Sequence, residues 1–348
     1  MNQNGILKWW IILSVVFIAI IASGYILYNK PEATKESSTS TASATEKIEK
    51  MTESASNFGM TEETEKAISE VSALGDSVVP QLDKLIESGQ IALVTSAGRA
   101  LAEIGTPLAV STLLDGISRK ENNPDQKLAL VSSLHALTKI NSASSELLIQ
   151  ALIKKQDPIL SPILRDTIAR LADSNVVRAI ANAFHELKPD IVEIGGGQKY
   201  DKNGWKQSNL MGTVLRVRSP QAVPALREII LNDSDFSLKS QAVIALGAIG
   251  DKDSIQAILD GIAKSTSTSY TRVLVETLTA INNKESLSQL IELLNNNANE
   301  NIRYGAAGAL GNISSETSIT ALKNALQKES SQLVKKRIQM SLKILGQS

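Results

Sequence analysis

Cysteine is absent from the 348 residues, which removes disulfide frameworks, thiolate metal sites and cysteine nucleophiles together. Histidine occurs only twice, as His135 and His185, too far apart in the chain to read as a ligand pair. Each is better taken as a packing or surface residue. Aromatic residues make up only 3% of the chain, which suits closely packed helices with small contact residues and suits a β-sandwich poorly. An excess of either charge is also missing. The 36 Lys and Arg balance the 36 Asp and Glu, so no global field recruits nucleic acid or an acidic surface. HExxH, GxSxG, P-loop and dinucleotide fingerprints are all lacking, and Gly195-Gly196-Gly197 has no evident strand ahead of it to make a phosphate loop. No catalytic, cofactor-binding or metal-binding residue is therefore expected.

Charge is missing locally as well, from Trp9 to Tyr28 (WWIILSVVFIAIIASGYILY). About 20 apolar residues at 1.5 Å each match the roughly 30 Å hydrocarbon core of a bilayer. Trp9 and Trp10 at one end and Tyr25 and Tyr28 at the other stand where rings settle at the water interfaces. The expectation is one transmembrane helix over 9–28 after a short tail, 1–8. The small residues Ala22-Ser23-Gly24 leave a cleaved signal peptide as the rival reading. Residues 29–57 are rich in Ser, Thr, Ala, Lys and Glu and read as a flexible tether. Such a chain would sit in a bacterial cytoplasmic membrane with its folded part, 58–348, on the extracytoplasmic side.

That folded part is periodic. A six-residue helix ending recurs, with an aliphatic residue in the second and fifth places and a small or turn-forming residue in the sixth. Ala245 to Gly250 (ALGAIG) and Ala309 to Ser314 (ALGNIS) are the clearest copies. Ala100 to Gly105, Ala136 to Asn141, Thr277 to Asn282 and Ser341 to Gly346 follow the pattern. Glu70 to Gly75, Thr167 to Ala172 and Val214 to Ser219 are weaker copies. Between endings lies a second apolar stripe at i, i+3, i+4 and i+7, as in Ile255, Ile258, Leu259 and Ile262. Each unit is thus a helical hairpin that cannot bury its face alone, and stacking makes one continuous core. About eight hairpins and an opening helix are expected.

Ser240 to Ile262 and Arg303 to Leu326 resemble HEAT repeats of the phycobilisome-lyase-like class, whose pattern is an Ala-Leu-Gly-x-Ile-Gly-Asp corner followed by an amphipathic helix. The resemblance covers roughly 61–348. It implies an all-α, right-handed helical solenoid in which the second helix of each pair lines a concave surface. It also implies a binding scaffold, with bilin-lyase-like chemistry or cofactor-attachment assistance as the enzymatic alternative.

One step between endings is longer than its neighbours, and the excess falls at 195–209 (GGGQKYDKNGWKQSN). In a chain this poor in aromatics, Tyr200 and Trp205 are the best anchors for a partner. Lys199, Lys202 and Lys206 lie among them, and Arg216 and Arg218 follow. The same basic cluster supports a third reading, an anionic glycan or lipid binder. The plain alternative is a tolerated surface insertion with its Trp folded back onto the stack. Lys239, Arg272, Arg303 and Lys335 recur ten or eleven residues before their corners. They form either a ladder along a binding groove or a set of bonds to turns of neighbouring repeats. The combined expectation is a membrane-tethered scaffold for a protein partner, touching the bilayer through 9–28.

Overall fold

The computed structural model describes residues 36–347. The chain divides into two compact units between Lys50 and Met51. Among the described residues the first contributes only the start of helix α1 (Glu36–Phe58). The second holds the end of α1 and all remaining elements.

Eight helical hairpins follow. They are α2 (Glu62–Ser72) with α3 (Val79–Ile86), α4 (Ile91–Ile104) with α5 (Pro107–Arg119), and α6 (Pro124–Ser133) with α7 (Ser142–Lys154). Next come α8 (Leu160–Arg170) with α9 (Ser174–Glu186) and, after a small β-hairpin, α10 (Gly204–Val214) with α11 (Val223–Asn232). The last three are α12 (Phe236–Ile249) with α13 (Lys252–Lys264), α14 (Thr268–Ala280) with α15 (Leu287–Asn296), and α16 (Glu300–Asn312) with α17 (Glu316–Lys328). A further helix, α18 (Gln332–Ile344), is the last element among the described residues. First helices stack on first helices from α2 through to α18, and second helices form a parallel layer beside them. This is an all-α repeat solenoid.

Local chemistry sets the boundaries. Most of the first helices start on N-caps whose side chains accept a backbone N–H, among them Thr61, Asn123, Asp235, Asn299 and Ser331. The second helices use Thr106, Asn141, Asp173 and Asp251 in the same way. At the corners after α4 and α12 the C-caps are Gly105 (φ 64°) and Gly250 (φ 62°), in the left-handed region that glycine enters without steric cost. Their carbonyls then accept hydrogen bonds from the buried hydroxyls of Ser144 and Ser286 in the following repeats. Corner is thereby bonded to corner.

The core runs the length of the stack. Leu101, Leu113, Leu130, Leu148, Ile180, Leu246 and Leu310 are all 0% exposed, and each such side chain contributes roughly 2 kcal/mol by leaving water. Neighbouring helices approach closely around α16. A Cβ added at Gly305 would fall 2.7 Å from Leu278 Cδ2, and one at Gly311 would fall 2.6 Å from Ser341 Cβ. The Gly-Ala-Ala-Gly-Ala-Leu-Gly run from Gly305 to Gly311 lets α16 lie tightly between α14 and α18.

Two expectations are corrected here. No helix among the described residues is long and apolar enough to cross a membrane. A transmembrane helix leading into the solenoid, a bilayer contact and a single-pass membrane location are therefore not supported; the segment that suggested them, 9–28, lies outside the described residues. The longest described helix, α1, is Ser-, Thr-, Glu- and Lys-rich. The stretch read as a flexible tether is itself helical from Glu36 onward. The missed signal was Ala44, Ile48, Met51 and Ala55, which fall at i, i+4, i+7 and i+11 and give the helix one weakly apolar stripe. Near its end Ser54 Oγ lies 2.8 Å from Thr64 Oγ1 of α2, both buried.

Candidate functional site

The extra residues between α9 and α10 fold as an antiparallel β-hairpin, β1 (Ile191–Ile194) and β2 (Gln198–Asp201). The register pairs Val192 with Tyr200, Glu193 with Lys199 and Ile194 with Gln198. The loop is Gly195-Gly196-Gly197, where Gly196 (φ 88°) and Gly197 (φ 75°) supply the positive φ that a short hairpin loop needs. A strand does precede the glycines, contrary to expectation. It turns back into a second strand rather than into a helix, so the loop is a hairpin turn and not a phosphate cradle.

Asp201 closes the base of the hairpin. Its Oδ1 accepts the backbone N–H groups of Asp190 and Asn203, each at 2.9 Å. Asn203 Nδ2 donates to the Lys188 carbonyl at 2.8 Å, and Gln207 Nε2 donates to that of Leu187 at 3.2 Å. The base is thus fixed to the start of α10.

Side chains alternate across a strand, so Val192, Ile194 and Tyr200 share one face. Ile194 is 49% and Tyr200 50% exposed, and Ile191 on the opposite face is exposed as well. The insertion therefore projects Ile191, Ile194 and Tyr200 into solvent.

The structure divides the residues that the sequence grouped together. Tyr200, Lys199 and Lys202 belong to the hairpin, and Trp205 and Lys206 begin α10. The insertion lies between Glu186 and Gly204, earlier than the expected 195–209. The alternation of Ile191-Val192-Glu193-Ile194 before the glycines was the readable signal. Trp205 is half-buried at the rim of a groove between α8 and α10, beside Pro158, Pro162 and Arg165. Lys206 Nζ stands 5.8 Å from the Trp205 ring centroid. Arg216 is already engaged, with its Nε 3.0 Å from Asp166 Oδ1 and its Nη1 donating to the Gly212 carbonyl at 2.7 Å. Arg218 Nη1 donates to the carbonyls of Leu215 and Val217, both at 2.8 Å. Two arginines of the basic cluster therefore bond to the solenoid itself.

Two of the four recurrent basic residues, Arg303 and Lys239, also serve the stack. Arg303 binds Glu329 through two hydrogen bonds, Nε to Oε2 at 2.9 Å and Nη2 to Oε1 at 3.0 Å. Its Nη1 donates to the carbonyls of Asn297 and Ala298. The Arg303 guanidinium holds the buried Glu329 carboxyl below the ordinary glutamate range, against the opposing effect of burial. Lys239 Nζ lies 4.6 Å from the Tyr270 ring centroid, and burial pushes the Tyr270 hydroxyl up. Arg272 lies 3.7 Å from Glu276 of its own helix.

A residue outside that set makes the most buried pair. Lys127 Nζ is 2.6 Å from Asp157 Oδ2, with side chains 8% and 7% exposed. Burial acts to raise the Asp157 carboxyl. The Lys127 ammonium and the N–H groups of Leu160 and Ile159 outweigh it and hold the carboxyl down. Of the histidines, His185 Nε2 lies 2.8 Å from Asp233 Oδ2, linking α9 to the end of α11, and the His135 carbonyl accepts from Arg170. Among the described residues no group of three or more His, Asp or Glu is placed to hold a metal ion.

A family model described as HEAT repeats matches residues 201–272 and 255–343. The matched part, residues 201–343, is thus similar to HEAT repeats and is less than half of the chain. Human deoxyhypusine hydroxylase, solved in complex with glycerol, is similar at 16% identity over 89% of this chain and 98% of that one, with a TM-score of 0.29. A chain from a computational design of self-assembling cyclic homooligomers is similar at 13% identity over 89% and 91%, with a TM-score of 0.14. At such scores neither bears on activity or assembly. No curated protein matches the chain.

Proposed function

We propose that this HEAT-repeat protein is a protein-binding scaffold whose recognition element is the hairpin insertion together with the start of α10. The observation that carries the reading is the hairpin face on which Ile194 and Tyr200 are exposed beside the half-buried Val192, raised from a solenoid whose other large side chains are mostly inside. A two-stranded hairpin gains little stability by itself, so leaving Ile and Tyr exposed on one favours a surface kept for contact. Trp205 and the groove beside Pro158 and Pro162 would add a second anchor. Lys199, Lys202 and Lys206 would form a polar rim. Arg216 and Arg218 have a structural role in this account. The Ala-Leu-Gly-x-Ile-Gly corners favour the phycobilisome-lyase-like class of repeat, which fits a scaffold equally well.

The anionic-ligand reading is weaker, because the hairpin sets Glu193 opposite Lys199 and the two arginines are engaged elsewhere. The test is in-cell crosslinking with quantitative mass spectrometry on wild type, Ile194→Ser/Tyr200→Ser and Trp205→Ala. Crosslinks to one partner should fall at least tenfold in the hairpin variant. Unchanged crosslinks in both variants would move recognition to the helical faces.

A further inference from the structure

The last described helix, α18, packs inward through Val334, Ile338, Ser341 and Leu342, and Ser341 Oγ donates to the Ala307 carbonyl of α16 at 2.8 Å. Outside that face Leu333, Met340 and Ile344 are 49%, 54% and 61% exposed. Their spacing of i, i+7 and i+11 makes one stripe along the helix, about 16 Å long at 1.5 Å per residue. No other described helix leaves more than two large apolar side chains exposed.

The charge around the stripe has one sign. Helix α18 carries Lys335, Lys336, Arg337 and Lys343 and no carboxylate. From 316 to 348 six basic residues face two acidic ones, and Glu329 is taken by Arg303. Earlier repeats pair such charges across their boundaries, as Arg99 does with Glu65 at 3.0 Å and Arg178 with Glu228 at 3.0 Å. Among the described ion pairs none involves the four basic residues of α18. Arg337 instead lies 5.5 Å from the Tyr304 ring centroid, with its Nε buried and unbonded.

We propose that α18 is the docking helix for an acidic amphipathic helix of a partner protein, at a site separate from the hairpin. The shape is a ridge of aliphatic side chains at helical spacing, which packs into the groove of another helix. The flanking charge comes from the exposed Lys336 and Lys343 along one side of the stripe, and it selects carboxylates. A second copy docked through the same face would bring like charges together. A lipid surface would meet only three apolar side chains, because the rest of the apolar circumference is buried.

The experiment is fluorescence anisotropy of the full chain with a labelled synthetic helix carrying Leu at i, i+4, i+7 and i+11 and Glu along both flanks. Saturable binding is expected, weakened at least tenfold by Met340→Glu and by Lys336→Glu/Lys343→Glu. Rising salt should weaken it too, and a matched peptide with Lys replacing Glu should not bind. Each substitution lies on an exposed side chain, and unchanged circular-dichroism melts show that the fold is kept. Absence of saturable binding, equal binding of the Lys peptide, or indifference to both variants overturns the proposal. Preferential capture by vesicles of mixed phosphatidylserine and phosphatidylcholine, lost in Met340→Glu, reassigns the face to lipid. Dimerisation lost in the same variant reassigns it to a second copy.

Discussion

Lys127 and Arg303 each stand four residues after the N-cap of a first helix, Asn123 and Asn299, and each reaches a carboxylate just ahead of the next first helix. Asp157 and Glu329 in turn accept backbone N–H groups there, from Leu160 and from Ser331. One side chain thus joins two repeats while its partner bonds the backbone at the start of the next first helix. Removing the base leaves a buried carboxylate without a counter-charge, which costs about 3 kcal/mol. Arg303→Met is expected to lower the unfolding free energy by about that amount in urea at neutral pH. Because the folded Glu329 carboxyl titrates below its ordinary value of about 4.5, the contribution is complete above that value. It is lost as pH falls through the folded value, so the gap between wild type and variant should close in acid. A gap that persists there would mean that Arg303 acts through packing and its bonds to the Asn297 and Ala298 carbonyls rather than through Glu329. Gly311→Ala tests the close approach of α16 and α18 in the same way. Alanine favours helix by about 1 kcal/mol over glycine, yet the new Cβ would meet Ser341 Cα at 2.9 Å and Cβ at 2.6 Å. A net loss of about 1–3 kcal/mol is expected, measured by urea unfolding.

At the scale of elements, the corners were plain in the sequence because their chemistry is local. An aliphatic pair followed by Gly, Asn or Ser stops a helix whatever surrounds it, and Gly105 and Gly250 sit in the conformation that this reading requires. The hairpin was less legible. Its glycines drew the insertion toward 195–209, while the strand before them, Ile191–Ile194, is only four residues long and follows directly on a helix. Helix α1 was missed because its apolar stripe is built of Ala and Met amid Ser and Thr, a composition that also describes a tether. The pairing of Arg216 with Asp166 could not be read either, since it spans 50 positions and depends on how the insertion seats α10 against α8. Because the hairpin joins the solenoid only through its base, replacing 191–201 with a short Gly-Ser link should change the unfolding free energy by less than about 1 kcal/mol. A larger loss would make the hairpin part of the fold rather than a surface carried on it.

Across the whole molecule each hairpin touches chiefly its neighbours, so stability is close to a sum of repeat and interface contributions. The Lys127 and Arg303 pairs lie in different boundaries, several repeats apart. Arg303→Met and Lys127→Met should therefore add to within about 0.5 kcal/mol in the double variant, and a larger coupling would show that distant boundaries sense one another. The same linear construction leaves room for a projecting element at one boundary without disturbing the others. That is why a hairpin between the fourth and fifth pairs can be given over to recognition. The most direct measurement is crosslinking in cells on wild type and on the variant whose residues 191–201 are replaced by the Gly-Ser link. Loss of one reproducible partner, with the melt of the solenoid unchanged, is the predicted result. Retention of the same crosslinks at the same yield would contradict the account and place the binding surface on the stacked helices.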